Sequence, residues 1–358
     1  VSWLLAFVGF ALLVILHELG HFAAAKAVGM RVEKFSLFFP PTLLSKKVGE
    51  TEYAIGAIPA GGYVKISGMN PAEDLPDEVR TRAYYAQPVW KRVVVIAAGP
   101  AVNLVVAFVL LFIFYFAVGP YETGVAAIEK GYPAAGALQV DDKIVAVDGR
   151  RVEPQEISQR ISAHRCAEDP PKAGCKAEQP ARLTVLRDGE RRQLELTPVY
   201  DPEAKRTRIG FQYGATDQRE DLSLGAALDT TADRYWFFTK ATLELPARLI
   251  DSEQRKEISG VVGSYETTRQ TILNQMEDVI GILAIISLSL AIVNLFPFLP
   301  LDGGHIFWAI VEKVRRKPVP FSVMERAGVV GFMLVILLFL IGLSNDIDRL
   351  SGEGFQVR

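Results

Sequence analysis

The sequence predicts an α-helical polytopic membrane protein of about four transmembrane helices, with a β-hairpin after the first and an α+β unit inserted after the second. Three observations lead there. Uncharged apolar blocks recur along the 358 residues, at Trp3–Leu16 with its continuation through Phe22, Val93–Val118, Val279–Leu301 and Ala327–Asn345. A helix needs about 20 such residues to cross the hydrocarbon core. Short β-type runs, Tyr53–Ile58 and Tyr63–Ile66, follow the first block, and a long stretch of mixed charge separates the second block from the third. Thirty-nine basic residues against forty-one acidic ones give no electrostatic footprint for nucleic acid, so no nucleic-acid partner is expected.

The first block crosses a membrane only if His17, Glu18 and His21 lie within the span. A cleaved signal peptide fits poorly, because no basic stretch precedes the block and H-E-L-G-H interrupts it. The chain opens at Val1, and a few residues are expected to precede it. Lysines and arginines crowd the segment between the first two spans and the segment Lys313–Lys317 between the last two. The positive-inside rule therefore places both in the cytoplasm, with the amino terminus, the long middle region and the carboxyl terminus outside. The expected divisions are a first transmembrane helix at 1–30, a cytoplasmic-side loop with the hairpin at 31–92 and a second helix at 93–118. Beyond these come an extracytoplasmic α+β domain at 119–200, a juxtamembrane helical region at 201–278, a third transmembrane segment at 279–301, a cytoplasmic loop at 302–326 and a fourth helix at 327–345.

His17 and His21 stand four residues apart and project from one helix face, so they can share a metal ion. Glu18 is about 100° round the helix, placed to take a proton from an activated water without ligating the metal. Ionisable groups within a span cost at least about 2.5 kcal/mol each, so three within five residues require a purpose. Zinc is the metal that these ligand types favour. A further ligand is needed, and the best candidate lies in N-L-F-P-F-L-P-L-D-G-G-H, residues 294–305. Pro297 and Pro300 interrupt the helix there, and irregular backbone at membrane depth is tolerated where it lines a cavity. Asp302 can face that cavity. His305, three residues on, competes for the ligand role, its alternative being a partner at the membrane–cytosol boundary. Fourteen apolar residues precede His17, roughly 21 Å of helix. That depth puts the histidines toward the cytoplasmic side, where Asp302 also emerges.

H-E-L-G-H in the first span together with N-x-x-P-x-x-P-x-D-G-G in a late one resembles the site-2 proteases, the intramembrane zinc metalloproteases. A-G-P-A-V-N, residues 98–103, is similar to a conserved motif of that family's second span, and P-A-G-G-Y-V-K-I-S-G-M, residues 59–69, to its membrane-reentrant β-hairpin. The resemblance runs nearly end to end. It implies three core helices around a zinc ion (Zn2+) held by His17, His21 and Asp302, Glu18 as catalytic acid/base, and Asn294 on the substrate side. It further implies a bacterial plasma (inner) membrane enzyme whose partners are the lipid bilayer and single-span membrane proteins. Those substrates, cut first by another protease, are membrane-tethered regulators such as anti-sigma factors, or remnant signal peptides.

Such a substrate is helical and must be locally extended before it is cut. The runs Tyr53–Ile58 and Tyr63–Ile66, divided by P-A-G-G, suggest a hairpin whose edge, around Gly61, Gly62 and Tyr63, holds an unwound peptide by strand addition; a purely structural hairpin is the alternative. In the middle region P-A-A-G-A-L-Q-V-D-D-K-I-V-A-V-D-G resembles a bacterial PDZ domain, and a single one fits. Asp188-Gly189 marks a tight turn in its last hairpin. Cys166 and Cys175 bracket an insertion; they form either a disulfide or two free thiols. The stretch 222–250 reads as helix, with Trp236, Phe237 and Phe238 either at the outer membrane surface or packed on the exported domain. The polar run 251–257 reads as a loop. A non-proteolytic scaffold with a structural metal site is the competing function, and the presence of Glu18 argues against it, since a closed structural site needs no acid/base.

Overall fold

A computed structural model describes residues 2–70, 73–166, 168, 170–249, 251, 255 and 260–351. The expected loop at 251–257 lies mostly outside the described residues. The chain divides into two compact units, one taking residues up to Ala117 and from Ser223 onward, the other Val118–Leu222.

Among the described residues of the first unit, four helices are long and apolar enough to cross a membrane: Ser2–Ala27, Val89–Val118, Met276–Asn294 and Ser322–Arg349. The second begins earlier than its apolar block suggests, because Pro88 caps it and Arg92, although charged, is buried inside it. The third ends at Asn294, where the prolines of L-F-P-F-L-P stop helical hydrogen bonding. The expected loop at 302–326 instead opens with a helix, Asp302–Arg315, whose apolar residues recur at helical spacing. The second span packs against both the first and the third.

The helix Leu224–Leu243, with Ser223 as its N-cap, packs on the second and third spans. Phe238 meets a cluster of Ala107, Leu288 and Ile292, and the Tyr235 hydroxyl donates to the Leu104 carbonyl at 3.1 Å. Trp236 and Phe237 remain exposed. Phe238 therefore packs on the spans themselves, not on the exported domain, which corrects that alternative.

Between the first two spans, β1 (Val32–Val48) and β2 (Thr51–Ile66) pair antiparallel about Gly49-Glu50. This corrects the expected hairpin. Tyr53–Ile58 and Tyr63–Ile66 do not pair across P-A-G-G; they belong to one strand and lie on either side of β1, Lys34–Leu37 pairing with both Glu52–Ile55 and Gly62–Lys65. The earlier segment wins because its aromatic residue is anchored. Phe35 packs on Phe22 of the first span at 5.4 Å and on Tyr53 at 6.3 Å. The turn is tied down as well, Glu50 accepting from Lys26 at 2.6 Å and from both ends of the Arg82 fork at 2.7 and 2.9 Å. Those cations hold the Glu50 carboxyl down at about 2.

The second unit holds the four-stranded sheet β5-β4-β6-β7, comprising Arg150–Arg151, Lys143–Val147, Ala181–Arg187 and Glu190–Leu196. The expected Asp188-Gly189 turn joins the last two strands, both residues at positive φ. The unit extends past the expected limit at residue 200, correcting the assignment of 201–222 to a helical region. Here β8 (Val199–Asp201) pairs with β9 (Arg206–Arg208), and β10 (Phe211–Arg219) pairs with β3 (Tyr121–Ile128), the unit's first strand. Val125, Ile144, Ile157, Leu183, Val185 and Ile209 form its core. Cys166 and Cys175 are joined as a disulfide.

Asp142, buried at 1 % exposure, accepts two hydrogen bonds from the Arg187 guanidinium at 2.7 Å each. Arg187→Ala leaves that carboxylate uncompensated and is expected to destabilise the unit by about 3 kcal/mol. Hydrogen exchange of the β4 and β6 amides measures it, and a loss below about 1 kcal/mol would mean that solvent screens the pair.

Candidate metal centre

His17 and His21 occupy adjacent turns of the first span, both buried, their rings 4.8 Å apart and nearly perpendicular. Asp302 comes to them from the far end of the chain, as the first residue of its helix. His17 Nε2 lies 3.1 Å from Asp302 Oδ2, His21 Nε2 lies 3.3 Å from the same oxygen, and the two nitrogens are 3.2 Å apart. A tetrahedral ion with bonds of about 2.0–2.1 Å keeps its ligand atoms about 3.3 Å from one another. The three atoms form a triangle of that size, so this donor set fits zinc. Among the described residues it is the group of three that offers one.

Second-span residues orient both halves of the triangle. The His21 Nδ1–H donates to the Val95 carbonyl at 2.9 Å. A carbonyl only accepts, so the proton sits on Nδ1 and leaves the Nε2 lone pair free for a metal. His17 Nδ1 is buried without a hydrogen-bond partner among the described residues. Gly20 and Gly99 let the first two spans meet at this level. A Cβ on Gly20 would come within 2.5 Å of the Ala98 carbonyl oxygen, and one on Gly99 would strike the His21 ring. The Asp302 helix is keyed to the same span through Arg92, whose fork donates to both Glu312 oxygens at 2.8 and 2.9 Å. Gly303 and Gly304 let that helix begin directly against the backbone of residues 295–299.

A cavity of about 470 Å³ opens onto the triangle. Glu18, Asn294, Gly61, Gly62, Tyr63 and His305 all line it, with the three candidate ligands. Thus every residue that the sequence singled out for the site faces one space. Gly62 stands against Glu18, where a Cβ would come within 3.1 Å of the Glu18 side chain. His305 shares the cavity but stands outside the three-atom group, so Asp302 is the stronger ligand candidate of the two. Asn103, from the A-G-P-A-V-N motif, is fully buried, its side-chain amide unpaired among the described residues and its backbone carbonyl accepting from Ser287 Oγ at 3.0 Å.

Sequence reasoning missed the Arg92–Glu312 pair and the Val95 carbonyl. Arg92 was discoverable as an ionisable residue at the start of a span. The carbonyl carried no signal, since any residue type provides one.

Two substitutions test this scaffold. Gly99→Ala is expected to displace the His21 ring and remove stoichiometric zinc from the purified protein, measured by elemental analysis; full zinc content would show that the spans can separate without cost. Arg92→Met is expected to weaken zinc affinity about 10-fold, the range for residues that orient ligands, with Arg92→Met/Glu312→Gln recovering part of the loss. Equal affinities for the single and double variants would remove the pair from the ligand scaffold.

The chain matches the model of Peptidase family M50 over residues 5–338. It is 28% identical to "Putative zinc metalloprotease Cj1068" of Campylobacter jejuni, over 95% of this chain and 92% of that one. It is 30% identical to "Putative zinc metalloprotease all3971" of Nostoc sp., over 95% and 93%. With "Putative zinc metalloprotease FN1322" of Fusobacterium nucleatum it shares 29% identity over 98% and 99%.

Proposed function

The chain belongs to peptidase family M50, the site-2 proteases, and from that membership we propose that this multi-pass membrane protein is an intramembrane zinc endopeptidase. The observation that carries the reading is the triangle of His17 Nε2, His21 Nε2 and Asp302 Oδ2, sized for zinc and opening onto a cavity that also holds Glu18. The relatives' names, all zinc metalloproteases, support the metal.

Zinc held by these three residues supplies Lewis acidity, which makes water acidic near neutral pH and polarises a carbonyl. The residues do the rest. Glu18 takes the proton of the attacking water and returns it to the leaving amide nitrogen. Asn294, the last residue of the third helix, is placed to bond the substrate backbone. The β2 stretch Gly61–Ile66 borders the cavity and receives the substrate as an added strand, unwinding its helix. Apolar residues exposed in the second half of β1, Leu43, Leu44 and Val48, suit a lipid environment and thus a re-entrant placement.

The substrates are single-span proteins already shortened by another protease. The Val118–Leu222 unit, read as a PDZ domain, screens them from outside the cell while the catalytic cavity takes water from the cytoplasm. The bacterial sources of the relatives favour the inner membrane.

Cleavage of a tagged single-span model substrate in liposomes tests the reading. Glu18→Gln is expected to slow cutting by about 10²–10⁴-fold while keeping its zinc. A chelator abolishes cutting, and added zinc restores it. Equal cutting by the intact chain and Glu18→Gln would sink the assignment, and a zinc-loaded chain that cuts none of several substrates would favour the scaffold.

A further inference from the structure

Within the cavity one polar side chain has no part in the mechanism above. His305 follows Asp302 by three residues on the same helix, so the two side chains lie on one face about one turn apart. It lines the cavity together with His17, Glu18, His21 and Asp302. It is not one of the three atoms that meet, so it is not positioned as a ligand. Among the described residues it makes no hydrogen bond. An imidazole with an uncommitted N–H beside the reacting centre is a donor waiting for an acceptor that arrives with the substrate.

We propose that His305 donates a hydrogen bond to the oxyanion that develops from the scissile carbonyl. The proposal rests on the proteolytic reading given above. In the step concerned the water oxygen bonds to the carbonyl carbon, a water proton passes to Glu18, and the carbonyl π pair moves onto oxygen. His305 stabilises that oxygen and keeps its own proton throughout. Collapse re-forms the carbonyl and breaks the C–N bond, and the proton on Glu18 goes to the departing nitrogen. His305 stands outside the three-atom group that would hold zinc, so metal binding and transition-state stabilisation fall to different residues only three positions apart.

The full-length protein in liposomes tests this with three readouts. His305→Ala is expected to lower kcat about 10²-fold, the range for removal of one oxyanion donor, with KM changed less than about threefold. Its zinc content stays stoichiometric, whereas Asp302→Ala loses zinc. Affinity for a leucine-containing phosphinic peptide, whose tetrahedral anion mimics the oxyanion, falls in parallel with kcat. His305→Gln, which keeps an N–H donor, regains at least tenfold of the lost kcat and guards against a simple folding defect.

Loss of zinc from His305→Ala and His305→Gln alike would make His305 a ligand and overturn the proposal. Unchanged kcat and phosphinate affinity in His305→Ala, with the intact chain active, would overturn it while leaving the proteolytic reading in place. An intact, zinc-loaded chain that neither cuts substrate nor binds the phosphinate would overturn both.

Discussion

His17 Nε2, His21 Nε2 and Asp302 Oδ2 approach within 3.1–3.3 Å of one another although 285 residues separate the first from the last, and the rest of the membrane unit is arranged so that they can. Each side chain alone is a liability in hydrocarbon, and a carboxylate there costs at least about 2.5 kcal/mol. Together they form a donor set that a divalent cation would satisfy. The cost falls on the helices, which must approach closely at one depth. Gly20 and Gly99 remove the side chains that would hold the first two spans apart, and Gly303 and Gly304 do the same where the Asp302 helix meets the preceding loop.

The second span is the common reference for both halves of the site. Its Val95 carbonyl fixes the tautomer of His21, and one turn earlier Arg92 holds the helix that begins at Asp302. Buried ion pairs give little net stability against an apolar replacement, yet a bidentate fork fixes direction as well as distance. Here direction is what matters, because Asp302 is separated from its own span by seven non-helical residues, 295–301, and has no covalent constraint on its aim. The fourth span closes on the same loop, Gly331 standing directly against the Leu299 carbonyl.

The parts legible in the sequence are those whose chemistry is rare in their setting. Three ionisable residues in an apolar block have few explanations, and prolines followed by D-G-G in another block have almost as few, so the ligand candidates and Glu18 could be named before any geometry existed, with Asn294 added by the family resemblance. The Asp188-Gly189 hairpin was legible because positive φ at both turn residues demands such a pair. What escaped depended on tertiary choice. Tyr53–Ile58 and Tyr63–Ile66 have the pattern of a hairpin, but period-two patterning names a strand and not its partner; Phe35, anchored on Phe22, decided that. Residues 211–219 carry a strand signal too weak to see without β3 beside them, because their inward side chains join a core assembled from distant segments. The Asp302–Arg315 helix was obscured by its two opening glycines, which on propensity alone argue for a loop.

A hydrolase in a bilayer must admit water to one point while excluding it from the fold around that point, and the cavity wall reconciles the two. Glu18, Asn294, His305 and the candidate ligands give it a polar lining, whereas Val14, Ile96 and Leu290 continue the apolar interior of the spans. Water entering such a space is confined among fixed donors and acceptors instead of bulk solvent. Electrostatic interactions are stronger there than in water. The glycine-lined β2 stretch leaves room beside Glu18 that any larger residue at Gly62 would fill. Gly20 and Gly99 thus bring the candidate ligands together, whereas Gly62 keeps room beside Glu18, so on the proposed reading a site built this way loses metal or loses substrate depending on which glycine is changed.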